Sequence, residues 1–150
     1  MNIFIDADAY PNAIKDILFR AAERVQVPMV LVANKYIQTP ESKFISSIEV
    51  SEGPDEADHK IVELVLEDDL VITADIPLAD RVIKKGAFVI TPRGELYTID
   101  NIGQCLAVRN LKEDLRESGV YTEGPPPFKQ KDSQAFANQL DRFLVKNYKK

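Results

Sequence analysis

Asn2-Ile3-Phe4-Ile5 is a short apolar run that passes straight into the acids Asp6 and Asp8, the pattern of a buried strand ending at a polar edge. After Pro11, the residues Ile14, Ile17, Leu18, Ala21, Ala22 and Val25 recur at helical spacing and predict an amphipathic helix closed by Pro28. Met29-Val30-Leu31-Val32-Ala33 reads as the next strand, and a polar loop containing Pro40 leads to a weaker strand over 45–50. Gly53-Pro54-Asp55 opens a second helix, with Asp55 expected as its N-cap and further acids suited to the positive end of the helix dipole. Leu70-Val71-Ile72-Thr73-Ala74 predicts a wholly apolar strand ending at Asp75.

Pro77 then starts a short helix that Gly86 stops, and residues 87–91 form another strand. The turn Pro92-Arg93-Gly94 and a short extension over 96–98 precede a long helix over 101–118, with Gly119 as its stop. Gly124-Pro125-Pro126-Pro127-Phe128 is expected to be irregular or polyproline-like. The chain closes in an amphipathic helix over 132–148, with Phe136, Leu140, Phe143, Leu144 and Tyr148 on one side. Apolar strands alternating with helices predict a three-layer α/β/α fold around a mostly parallel sheet. One domain, residues 1–150, is expected, with the C-terminal helix packed on it.

Composition narrows the classes. A chain of 150 residues with 45% hydrophobic and 29% charged positions is an ordinary globular sequence, which excludes disordered and fibrous classes. The single cysteine, Cys105, cannot form an internal disulfide and has no cluster of metal-ligating neighbours in the sequence. There is no signal-peptide pattern and no apolar stretch of membrane-spanning length, so a cytoplasmic protein is expected. The net charge of -5 is unevenly spread. Residues 1–75 carry 6 Lys and Arg against 15 Asp and Glu, whereas residues 76–150 carry 13 against 9. That asymmetry suits a nucleic-acid partner, and equally suits solubility alone.

Ligands of parallel α/β sheets sit at the carboxyl ends of the strands, which directs attention to the aspartates. Asp6 and Asp8 follow the first strand, Asp75 follows the strong central one, and Asp55 and Asp58 share a face of the second helix. Asp80 comes within reach if its short helix folds back. Carboxylates crowded on one rim need a cation or protons, and an oxygen-only set favours Mg²⁺ or Mn²⁺. His59, the one histidine, would be a ligand or general base, or else a solvated side chain. Arg93, in its turn, is expected to present its guanidinium to a substrate phosphate. Arg81, Lys84 and Lys85 suit either phosphate contact or a solvated helix face, and Thr73 reads as a strand residue.

Four motifs in order carry a resemblance over nearly the whole chain: Asp6-Ala7-Asp8-Ala9-Tyr10-Pro11, residues 71–79 around Thr73-Ala74-Asp75, residues 92–97 around Pro92-Arg93-Gly94, and residues 124–128. Together they resemble the uncharacterised bacterial YaiI/YqxD family, regarded as having a PIN-like fold, the fold of many Mg²⁺-dependent ribonucleases. The resemblance implies Asp6, Asp8, Asp58 and Asp75 at the matching acidic positions. Two positions depart from the pattern. Tyr10 stands where the family usually has cysteine, and residues 90–94 lack the later acid of typical PIN nucleases.

Three functions compete on this reading. The first is a Mg- or Mn-dependent phosphodiesterase acting on RNA, in which Asp6, Asp8, Asp58 and Asp75 are catalytic and hold metal with Asp55 and Asp80. Arg93, Arg81 and Lys85 would contact phosphates, and Tyr10 or Tyr97 would stack on a base. The second is an inactive RNA- or protein-binding module of the same fold, favoured by the missing late acid. The third is an aspartyl phosphatase of haloacid-dehalogenase type, suggested by Asp6-x-Asp8, Thr73 and a later lysine. It lacks the paired acid that should follow, since Asp68-Asp69 comes too early.

Overall fold

Strand residues alternate between two apolar faces, and this alternation builds a sheet covered on both sides. The computed structural model describes residues 1–8, 10–121, 124 and 126–148. Its elements run β1 (Ile3–Asp6), α1 (Asn12–Val25), β2 (Met29–Ala33), β3 (Ile45–Glu49), α2 (Glu56–Leu64), β4 (Leu70–Ile72), α3 (Ile76–Lys84), β5 (Phe88–Ile90), β6 (Leu96–Tyr97), α4 (Ile102–Glu117) and α5 (Gln130–Asn147). The strands form one six-stranded sheet in the order β3-β2-β1-β4-β5-β6. All neighbours are parallel except the last pair, where the Pro92-Arg93-Gly94 turn folds β6 back on β5. The expected three-layer α/β/α architecture is thus observed.

Ile3 and Ile5 of β1, Leu31 of β2 and Ile72 of β4 point to one side, where α1 and α5 cover them with Ile14, Leu18, Phe136 and Leu140. Phe4, Val32 and Val71 point to the other, against Ile61 of α2, Leu78 and Val82 of α3 and Ile102 of α4. The strand order reverses between β1 and β4, where the chain crosses from β3 through α2 to the other half of the sheet. Among the described residues no helix is long and apolar enough to cross a membrane.

Most boundaries fall within two residues of those expected, and the differences have local causes. The central strand stops at Ile72 rather than Ala74 because Thr73 leaves the ladder. Its hydroxyl donates to Asp6 Oδ2 at 3.0 Å and accepts from the Asp75 backbone N–H at 3.0 Å. Asp55 occupies the cap position of α2, but in the left-handed conformation (φ 65°) and without a side-chain capping bond, so the expected cap does not form. Asp75 instead caps α3, accepting from the Leu78 N–H at 3.0 Å. Gly124 and residues 126–128 carry no regular secondary structure, as expected, and Pro125 lies outside the described residues.

Arg93 has a structural post rather than a phosphate-binding one. It pairs with Asp132 at the start of α5 (3.1 Å), donates to the Pro126 carbonyl and lies over the Phe128 ring at 5.6 Å. Next to it, Gly94 (φ +90°) lies so close to α5 that an added Cβ would meet the Ala135 carbonyl carbon at 2.6 Å. The turn therefore clasps the C-terminal helix and the proline-rich segment together. Asp69, an acid that the sequence offers only as a misplaced phosphatase residue, is buried and accepts from the Asn2 and Leu66 N–H groups, both at 2.9 Å. It ties the start of β1 to the turn before β4.

Gly94→Ala is expected to destabilise by about 2 kcal/mol or more, because both the left-handed backbone and the contact with α5 forbid a side chain. A denaturant midpoint equal to that of the unaltered protein would refute the clasp. Asp69→Ala leaves two N–H groups without a partner and should cost about 3 kcal/mol in the same measurement.

Candidate acidic site at the strand switch point

The reversal of strand order leaves a crevice beyond the carboxyl ends of β1 and β4, because α1 leaves for one face and α3 for the other. Each acid arrives there from a different element. Asp6 is the last residue of β1, Asp75 caps α3 just after β4, and Asp58 sits in the first turn of α2. The crevice opens into a cavity of 390 Å³ lined by Asp6, Asp75, Thr73, Tyr10, Pro92 and Arg109, among others. That volume lies within the range of small-ligand sites, roughly 300–1,000 Å³.

The carboxylates perturb one another. Burial raises the pKa of Asp6 above the ordinary aspartate value; the Thr73 hydroxyl opposes that shift, while the charges of Asp75 and Asp8 add to it. Asp58 is pushed up to about 7 by burial first, then by the charges of Asp75 and Asp6, a hydrogen bond to Asp75, and the charge of Asp55. A hydrogen bond between two carboxyl groups requires one to hold a proton, and Asp58 is the group so raised. The cap residue of α2, Asp55, makes no side-chain capping bond, and its charge adds to the shift of Asp58.

The remaining candidates divide. Asp8 acts on Asp6 electrostatically, but its carboxylate also accepts from the Asn34 N–H at 2.8 Å, fixing the loop after β2. Asp80 does not join the crevice; it pairs with Lys84 one turn along α3 at 2.8 Å. His59 is exposed on the flank of α2, where Arg81 lies 3.3 Å from its Nδ1. Lys85 donates to the Val62 carbonyl and fastens α3 to α2. Tyr97 is buried, its hydroxyl donating to Glu95 at 3.4 Å and its pKa pushed up to about 12 by burial and then by Glu95. Tyr10 is only half-buried and lies on the cavity wall.

Two residues carry more than their local sequence pattern suggests. Thr73 is a positioning residue, holding the Asp6 side chain and the Asp75 backbone with one hydroxyl. Arg109 reaches the cavity from α4, 34 residues beyond Asp75 in the chain. Its position on a largely exposed helix gives no periodic signal. Among the described residues no three histidine, cysteine, aspartate or glutamate side chains stand together as a ready metal shell. The donor set is nevertheless all oxygen, and Asp58 and Asp75 already stand close enough to share a proton, a place where a hard cation could substitute for it.

The raised pKa of Asp58 has a definite sign for stability. The folded protein keeps a proton that the unfolded chain releases near 3.8, so stability falls as pH rises from about 4 to about 7 and is level above that. Asp58→Asn should melt at the same temperature as the unaltered protein below about pH 4 and progressively higher through this window. A gap in Tm that does not change with pH would contradict the shared proton.

Comparison with known proteins follows the same elements. A family profile described as "Uncharacterized BCR, YaiI/YqxD family" matches residues 4–146. A UPF0178 protein of Sulfurimonas denitrificans is 58% identical over 147 residues, covering 98% of this chain and 97% of the relative. One of Janthinobacterium is 57% identical over 150 residues, covering 100% and 99%, and one of Shewanella baltica is 60% identical over 144 residues, covering 96% of each. No solved structure matches the chain. From β1 to α5, then, the chain belongs to the YaiI/YqxD family.

Proposed function

We propose that this protein is a phosphodiesterase that hydrolyses RNA with the help of a divalent cation, Mg²⁺ or Mn²⁺, at Asp6, Asp58 and Asp75, with Asp8 and Asp55 at the margin. The observation that carries the reading is the Asp58–Asp75 pair, in which crowding and burial lift one carboxyl to about 7. A carboxyl kept near neutrality serves proton transfer, and a crowded pair invites a cation. When bound, such a cation offsets charge on the phosphate and lowers the pKa of a water molecule.

The chain's own residues supply the rest. Thr73 fixes the Asp6 carboxylate against β4, and the α3 cap fixes that of Asp75. Asp58, in its ionised form, takes the proton of the attacking water as that oxygen bonds to phosphorus and the ester oxygen departs, taking a proton from solvent. Arg109 meets a phosphate oxygen, and the half-buried Tyr10 ring lies against a base. Asp80, Arg81, Lys85 and Arg93 have no part in this scheme, each being engaged elsewhere. A non-catalytic binding module remains the second reading, and the lack of a ready three-ligand shell among the described residues favours it.

Asp6→Asn/Asp75→Asn tests the reading without threatening the fold, since asparagine also caps helices and keeps an acceptor for Thr73. Calorimetric titration of Mn²⁺ and Mg²⁺ should show saturable binding to the unaltered protein and none to the double variant. RNA cleavage should fall by at least about a hundredfold in the variant, the range for loss of groups acting on the transition state. No binding at millimolar metal together with no cleavage of RNA would overturn the phosphodiesterase and leave the binding module.

A further inference from the structure

A polyanion approaching an acidic crevice must be held by cations beside it, and most candidates for that task are occupied. Arg93 is clasped to Asp132, Arg81 lies against His59, Lys84 pairs with Asp80, and Lys85 binds the Val62 carbonyl. A second cavity, of 470 Å³, adjoins the crevice and shares Ile76 and Arg109 with it. Its far wall is α4, which contributes Gln104, Val108, Arg109, Lys112 and Arg116. The spacing of Arg109, Lys112 and Arg116 places them on one helical face. The acids of the same helix, Glu113, Asp114 and Glu117, do not line the groove. Among the described residues Glu95 is the one acid that does, and it accepts from the buried Tyr97 hydroxyl.

The helix itself is unusual. Of the 16 residues of α4 only Ile102 is buried, while Val108 and Leu111 are 48% and 59% exposed. Packing in the core therefore does not account for its outer half. Arg109 and Arg116 pair with Glu113 at 3.9 and 3.8 Å, and Arg109 also donates to Asn110 Oδ1 at 3.4 Å, exposed contacts of the kind readily exchanged for a phosphate. Lys112 makes no ion pair among the described residues.

We propose that the α4 groove is the track for a single-stranded nucleic acid, its phosphates on Arg109, Lys112 and Arg116 and its chain running into the acidic crevice. This names the substrate of the site described above and rests on the phosphodiesterase reading for what happens to the strand there, though not for its binding. Charge complementarity selects a phosphate chain. The apolar components of the groove, Ile76, Tyr97 and Val108, together with Tyr10 in the adjoining crevice, select a strand with uncovered bases, because a duplex keeps its base faces stacked inside.

The test measures fluorescence anisotropy of a short fluorescein-labelled oligouridylate, and of an RNA duplex, with the full-length protein in EDTA. Lys112→Ala/Arg116→Ala removes two exposed cations and improves helix propensity, so the fold is not at risk. Lys43→Ala/Lys146→Ala removes the same charge from other faces and serves as the control. The α4 variant should bind the single strand roughly tenfold more weakly, with a log–log salt slope shallower by about 1.4, or 0.7 per lost contact. The control should bind as the unaltered protein does.

Absence of binding by the unaltered protein, an equal loss in the control, or a duplex bound as tightly as the single strand would each overturn the track. Asp6→Asn/Asp75→Asn separates the two readings. If it and the unaltered protein both bind the strand but neither cleaves RNA with metal, the phosphodiesterase fails while the track stands. If the unaltered protein cleaves and the α4 variant binds normally, the track fails while the phosphodiesterase stands.

Discussion

The reversal of strand order between β1 and β4 is the constraint on which the candidate site depends. Two parallel strands send their helices to opposite faces of the sheet, which leaves a gap at the carboxyl ends between them. The gap must be filled by short polar side chains or by a ligand. Here it receives Asp6 from one strand, Thr73 and Asp75 from just after the other, and Asp58 from the helix that carries the chain across the sheet.

Bringing these acids together works against stability, and local bonds offset only part of that cost. Thr73 donates to Asp6, and the α3 N-terminus donates to Asp75. Asp58 receives no comparable offset: burial and its acidic neighbours all raise its pKa, and it reaches about 7. A fold selected for stability alone would place a neutral residue there. The uncapped N-terminus of α2 points the same way, because an aspartate stands at its cap position and yet does not cap.

Elsewhere, charge does structural work. Arg93 and Gly94 form a clasp that sets α5 against the sheet, and Phe136, Leu140, Phe143 and Leu144 then complete the core on that side. Asp69 pins two backbone N–H groups at the start of the central strands. These residues look like functional candidates or idle charges in one dimension. Their partners lie far away in the chain, Asp132 for Arg93 and Asn2 for Asp69, where no local pattern can reveal them.

The sequence by itself determined the elements, because hydrophobic periodicity and the stops at Pro28 and Gly86 act over a few residues. It also determined that acids follow two apolar strands, which at the ends of parallel strands is enough to locate the crevice. Tertiary structure decided which charges meet there. It brought Asp58 to Asp75, withdrew Asp80 to Lys84 and Arg93 to α5, turned Thr73 from a strand residue into the link between Asp6 and Asp75, and swung Arg109 in from α4. The reason is physical: backbone preference is set by near neighbours, whereas the partner of a charged side chain is whichever opposite charge or dipole the packing of distant segments places within a few ångströms.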